Sequence, residues 1–185
     1  MIGTARDRRR RSWFDRLALP HLNVAYSLAR WLTGNEADAS DVVQEAYLRA
    51  FRDFDSHHGT DAKSWVLKVV RNACYDHLAR KRPVASASLE SDGELAWSSL
   101  ADRSLKGRSV TPLDREIEAL PVEWRETLVL RELHGLGYRQ IAEITGAPVG
   151  TIMSCLQGAR SRLLEAIDRA PTETAGPHQR AASGG

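Results

Sequence analysis

Helical periodicity recurs through almost the whole of this chain, strand patterning is nearly missing, and one stretch, from Pro83 to Thr111, breaks the pattern altogether. Apolar residues spaced three and four apart gather on one side of a helix, whereas half-buried strands need strict alternation. The spacings predict helices over 15–32, 37–54, 62–82, 112–119, 122–134, 138–145 and 148–168. The interrupting stretch carries Ser86, Ser88, Ser91, Gly93, Ser98, Ser99 and Gly107, with Glu90, Asp92, Glu94 and Asp102 making its middle acidic. That composition reads as a linker. The expected fold class is all-α, with small helical domains over 15–82 and 112–168 joined by a flexible linker over 83–111. The basic stretch over 1–14 reads as a disordered arm or as a DNA-contacting one, and the Pro/Thr/Ala/Gly/Ser-rich stretch over 169–185 as a disordered tail.

Composition narrows the function classes. A hydrophobic fraction of 42% supports packed cores, and a net charge of only +2 leaves any nucleic-acid signal to local patches. Cys74 and Cys155 are too few and too far apart for a disulfide framework or a metal site, which suits reduced thiols in a cytoplasmic protein. The basic start is followed by Ser12-Trp13-Phe14-Asp15-Arg16 rather than an apolar signal segment, and no apolar run approaches the roughly 20 residues of a membrane helix. The expectation is a chain with no membrane insertion. His57 and His58 have no further ligands at metal-binding spacing, and no phosphate loop or nucleophile elbow occurs. No catalytic residues, metal or cofactor are expected.

Placed at a helical angle, residues 40–54 carry an apolar arc of Val43, Ala46, Tyr47, Ala50, Phe51 and Phe54. The opposite arc holds Asp41, Gln44, Glu45, Arg49 and Arg52, with Leu48 alone in its middle. An isolated exposed leucine is common on protein surfaces. Ringed by polar groups, it also has the form of an apolar interface anchor.

Residues 65–82 divide in the same way. Val66, Val69, Val70, Ala73, Cys74 and His77 form an apolar side, with His77 read as a core histidine; Lys68, Arg71, Asn72, Tyr75 and Arg82 cluster opposite, with Arg80 and Lys81 near the helix end. Cations, an amide and an aromatic ring together suit single-stranded DNA, whose phosphates need charge and whose bases need a flat ring. A solvated cationic face, countering the helix dipole at its end, has the same composition. The polar loop before this helix, residues 55–61 with His57, is placed to help hold an extruded base.

Further on, Ile141, Ala142 and Ile144 line a short helix closed by Gly146, and Pro148 opens a longer helix with a stripe of Val149, Ile152, Leu156, Ala159, Leu163 and Ile167. This is helix-turn-helix patterning, or a plain helical hairpin. The outer face of the second helix presents Gly150, Thr151, Met153, Ser154, Gln157, Gly158 and Ser161, without a cation before Arg160. Such a face binds duplex phosphates weakly unless Arg125, Arg131 or Arg139 compensate.

Taken together, these residues resemble the extracytoplasmic-function sigma factors of the sigma-70 family. The likeness runs from about Leu19 to Ile167. Asp41 to Ala50 resembles the region 2 helix that docks on the beta-prime clamp helices of RNA polymerase, which implies a docking role for Asp41, Gln44, Glu45, Leu48 and Arg52. Gly59 to Trp65 and Arg71 to Asp76 resemble the segments that melt the minus-ten element and capture a flipped base. The implied contacts are His57, Lys63, Trp65, Lys68, Arg71, Asn72, Tyr75 and Arg80.

Leu120-Pro121, Leu130 to Leu133, Tyr138, Ile141 to Glu143 and Pro148 to Ile152 resemble region 4, which reads the minus-thirty-five element in the major groove. The implied contacts there are Arg139, Gln140, Thr151, Met153, Ser154, Gln157 and Arg160. The implied partners are RNA polymerase core, through its beta-prime clamp helices and beta flap, promoter DNA, and an anti-sigma factor. The family usually carries an arginine where Cys155 stands and a basic residue at Gly158, so arginines there are expected to strengthen duplex binding. Alternatives are a sigma-like competitor or anti-sigma ligand with impaired minus-thirty-five binding, and a stand-alone helix-turn-helix regulator.

Overall fold

The structure is a computed structural model that describes residues 5–54, 61–81 and 111–169, with side chains from residue 8. His57, the linker before Thr111 and the tail from residue 170 lie outside the described residues. The described residues form helices joined by short turns, without a strand. Helices α1 (Ala5–Ala18), α2 (Leu22–Thr33), α3 (Glu36–Arg52) and α4 (Ala62–Lys81) form the first domain. The second contains α5 (Pro112–Glu118), α6 (Val122–Leu128) with a π-helical continuation over Val129–Leu133, α7 (Tyr138–Thr145) and α8 (Val149–Arg169).

Local chemistry accounts for most boundaries. Gly34 takes a left-handed φ of 69° to end α2, and Asn35 caps α3 by accepting the Asp38 amide at 3.1 Å. Asp61 caps α4, its carboxylate accepting the Ser64 amide at 3.0 Å and the Ser64 hydroxyl at 2.6 Å. Thr111 and Asp114 cap α5 reciprocally. Gly146, at φ 76°, closes α7 before the turn into α8.

The N-terminal stretch corrects the sequence reading. The basic segment expected to be disordered is helix α1, and Phe14 on it is buried, 6% exposed. Its ring meets Tyr47, Phe51 and Phe54 edge-on at 6.2, 5.2 and 5.6 Å. Arg10 donates to the carbonyls of Phe51 and Arg52 at 2.7 and 2.8 Å. The charge run concealed a helix because the buried side chains that hold it, Phe14 and Ala18, lie beyond it in sequence. The helix expected over 15–32 is in turn divided by the 3-10 turn Leu19–His21, where Pro20 lacks an amide hydrogen.

Leu28, Leu32, Val42, Ala46, Val66, Leu67, Val70 and Cys74 fill the first core; Leu130, Leu136, Ile141, Ile144, Ile152, Leu156 and Ala159 fill the second. Each large aliphatic side chain removed from water in this way contributes about 1.5–3 kcal/mol. Leu67 and Val42, outside the predicted apolar arcs, are fully buried, and Val149 and Ile167, inside one, are exposed. Helix α4 packs against α2 and α3 on one side and against α7 on another. That second contact brings the two domains together.

Candidate functional site

Helix α3 leaves Leu48 55% exposed, with Asp41, Gln44 and Arg52 exposed around it. Glu45 is half-buried beside them, its carboxylate holding Arg49 at 2.5 Å and Arg80 at 3.2 Å. Those hydrogen bonds, Arg49 first, hold its carboxyl below the usual range. Arg49 also reaches Asp76 at 2.7 Å, so the ring around Leu48 is tied to α4. Lys81 adds a further α3–α4 tie to Asp38 at 2.6 Å, and the half-buried His77 lies 3.4 Å from the same carboxylate.

On α4, Lys68 and Asn72 are exposed, and Arg80 is exposed while paired with Glu45. Trp65 is half-buried against Phe54, ring centroids 6.2 Å apart. Arg71 and Tyr75 are stacked, the guanidinium 4.3 Å from the ring centroid. Both turn to the second domain. Arg71 Nε donates to Glu126 at 2.6 Å, and the Tyr75 hydroxyl donates to the other oxygen of that carboxylate at 3.0 Å. Lys63 donates to the His134 carbonyl at 2.8 Å.

In the second domain α7 and α8 meet around the Gly146 turn as a helix-turn-helix. Thr151, Met153, Ser154, Gln157 and Arg160 share the exposed side of α8, and Arg139 is exposed on α7. Gln140 is engaged, accepting the Gly137 amide at 2.9 Å and donating to Asp61 at 2.8 Å. Arg160 pairs with Glu132. Of the arginines expected to compensate a cation-poor face, Arg125 is buried and donates to the Glu118 carbonyl at 2.5 Å. Arg131 stacks on Tyr138 and donates to the Leu136 carbonyl at 2.8 Å. Only Arg139 among these three is exposed.

The placement of Cys155 and Gly158 on the DNA-facing side is wrong. Gly158 faces Trp124 on α6, where an added Cβ would lie 2.6 Å from the indole. Cys155 is half-buried toward the same helix, its thiol pushed up by desolvation and by Glu123 and Glu126. Burial also pushes the Cys74 thiol up to about 12. Neither environment favours a thiolate.

Two family models match, sigma-70 region 2 over residues 17–84 and sigma-70 region 4 over residues 111–163. The chain is 36% identical over 156 residues to the ECF RNA polymerase sigma-E factor of Escherichia coli, covering 78% of each chain. This chain belongs to the extracytoplasmic-function sigma factors. It is also 28% identical over 167 residues to the ECF sigma factor SigE of Mycolicibacterium smegmatis, covering 89% of this chain but 65% of that relative's length. The Bartonella quintana sigma factor RpoE, solved in complex with the anti-sigma factor NepR, shares the fold at a TM-score of 0.63 and 23% identity, over 82% of this chain and 94% of that one.

In this sigma factor, most of α1 precedes the region 2 match, and Leu48 and the Arg71–Tyr75 stack fall within it. Sequence reasoning missed Glu126. The available signal was a carboxylate two residues before the apolar run Leu128-Val129-Leu130, where a charge drawn into the core needs a partner. The identity of that partner depends on which domain faces it.

Proposed function

We propose that this chain directs RNA polymerase to promoters and opens them, as a subunit with no chemistry of its own. The supporting observation is the pairing of surfaces on one domain: Leu48 exposed in a polar ring on α3, and Lys68, Arg71, Asn72 and Tyr75 on the neighbouring α4. An apolar anchor with a polar rim suits docking on a helical partner, here the beta-prime clamp helices of RNA polymerase. Asp41, Gln44, Glu45 and Arg52 complete that contact. Lys63, Trp65, Lys68, Arg71, Asn72, Tyr75 and Arg80, with His57 from the preceding loop, take the melted minus-ten strand through charge and stacking.

The second domain presents α8 to the minus-thirty-five major groove through Arg139, Gln140, Thr151, Met153, Ser154, Gln157 and Arg160, and meets the beta flap. With Arg139 the exposed member of the compensating arginines, that contact has few cations and its affinity is low. An anti-sigma factor is the expected negative regulator, and the cytoplasm the expected compartment. No helix among the described residues is long and apolar enough to cross a membrane.

Run-off transcription with core polymerase on promoter-bearing genomic fragments tests this reading. Specific transcripts that disappear with Leu48→Glu are expected. Core binding without transcripts would favour a sigma-like competitor, a reading to which the engaged state of Arg71, Tyr75 and Gln140 lends some support. Absence of core binding would overturn the proposal.

A further inference from the structure

The stretch that precedes the region 2 match carries the densest charge of the chain. Arg6 to Arg16 holds six arginines against Asp7 and Asp15, whereas the whole chain nets only +2. Positive charge is therefore concentrated on α1, and the remainder of the chain is net acidic.

Helix α1 gives one face to the core and the other to solvent. Phe14 and Ala18 are buried, while Trp13 is 65% exposed. At about 100° per residue, Arg9, Trp13 and Arg16 fall side by side, a turn apart, on the face opposite Phe14 and Ala18. Arg9 and Arg16 are exposed as well, and Asp15 falls on another side of the helix. An indole standing in water between two guanidiniums offers a flat ring to a base and charge to the phosphates on either side of it. We infer that the Arg9–Trp13–Arg16 face of α1 is a second binding surface for single-stranded DNA, taking up the strand beyond α4. The inference rests on the strand-binding reading of α4 and extends it to a helix that lies mostly outside the region 2 match.

Position and rigidity favour this occupant. Arg10 donates to the carbonyls of Phe51 and Arg52 at 2.7 and 2.8 Å, and its guanidinium lies 4.8 Å from the Phe51 ring centroid. These contacts pin α1 at the end of α3. Phe14 meets Phe54 at 5.6 Å, and Phe54 meets Trp65 at 6.2 Å, so α1 sits at the same end of the first domain as Trp65. Helix α1 also packs against α4 itself. A strand leaving Trp65 therefore meets α1 as a neighbouring helix. With its other face held in the core, α1 presents the stripe without the ordering cost of a flexible arm.

A lipid surface fits less well. A helix lying in a membrane interface needs a broad apolar face. On α1 that face is spent on the core, and Trp13 is the one large apolar side chain exposed among its described residues. Helix α8, by contrast, is short of cations, so α1 supplies phosphate affinity that the second domain lacks.

Titration of the full chain with a short fluorescein-labelled single strand of mixed sequence, at several salt concentrations, tests the inference. Trp13→Ala is expected to weaken binding about tenfold, and Trp13→Phe to keep most of the affinity, because a flat ring suffices. Arg9→Gln with Arg16→Gln should lower the slope of log affinity against log salt by about 1.4, at roughly 0.7 per arginine. Melting temperatures should match wild type, since all three side chains are exposed.

Strand affinity unchanged in Trp13→Ala would overturn the inference. A duplex of the same sequence bound as tightly as the strand would also overturn it, leaving charge attraction alone. Trp13-dependent binding to phosphatidylglycerol vesicles without strand binding would assign the face to lipid instead. Loss of core-polymerase affinity in Trp13→Ala, with strand binding intact, would make it a protein contact. A failure of the α4 reading shows elsewhere: an Arg71→Ala holoenzyme would transcribe at the wild-type level, while Trp13→Ala still cost strand affinity and so upheld α1 as a strand site by itself.

Discussion

The indole of Trp124 lies across Gly158 so closely that a Cβ at that position would stand 2.6 Å from the ring. Glycine in the middle of a helix ordinarily weakens it by about 1 kcal/mol relative to alanine. Here the missing side chain is what lets α8 and α6 approach.

Gly158→Ala should therefore destabilise the second domain by about 1–2 kcal/mol, the overpacking penalty exceeding the gain in helix propensity. Gly158→Arg should be worse and should not create a DNA contact. Thermal melting combined with duplex binding checks this. A variant as stable as wild type would mean that Trp124 moves aside freely.

Phe14→Ala should lose about 3 kcal/mol, because the ring is enclosed by Tyr47, Phe51 and Phe54 and the resulting void cannot close fully. Urea unfolding of the full chain would measure it. A loss below about 0.5 kcal/mol would show that α1 is not held to the first domain.

Leu48→Glu should leave stability within about 0.5 kcal/mol of wild type, since the side chain is 55% exposed. Its affinity for core polymerase should fall by about 30-fold or more, as for a central anchor of an interface. Melting curves and a core-binding titration separate these effects. A matching loss of stability would make Leu48 a packing residue.

Acid should weaken the seam between domains in separate windows. Burial, and then the Lys63 ammonium, holds the His134 imidazole down to about 4. With the folded value below the unfolded one, the contribution of His134 is complete above pH ~6.5 and is lost as pH falls through about 4. Asp61 is held near 2 by the Ser64 hydroxyl first, then by the Ser64 amide and Gln140, so its contribution is lost as pH falls from about 3.8 toward about 2. Glu126, raised mainly by burial, runs the other way: the closed form takes up its proton and gains on acidification. The clean measurement is a difference. The stability advantage of wild type over His134→Gln should shrink between about pH 7 and pH 4.5, and a constant difference would refute the assignment.

Much of this molecule was legible from residue order alone. Helical spacing located α3, α4, α7 and α8 to within a few residues, and the stop at Gly146 acts through backbone geometry that needs no distant partner. Leu48 stood out for the same reason, because a face of a single helix can be drawn from periodicity. Three features lay beyond that reach. The arginine-rich start formed α1 because aromatic rings from α3 and its C-terminal end enclose Phe14. Gly158 turned to Trp124 because α6 crosses α8 there. Glu126 met Arg71 and Tyr75, more than 50 residues earlier in the chain, because α4 packs against the second domain. Periodicity reports which side of a helix is apolar, through local spacing. Which helix covers that side, and which buried charge finds its counter-ion, depends on contacts between distant segments, and only the tertiary structure decided those.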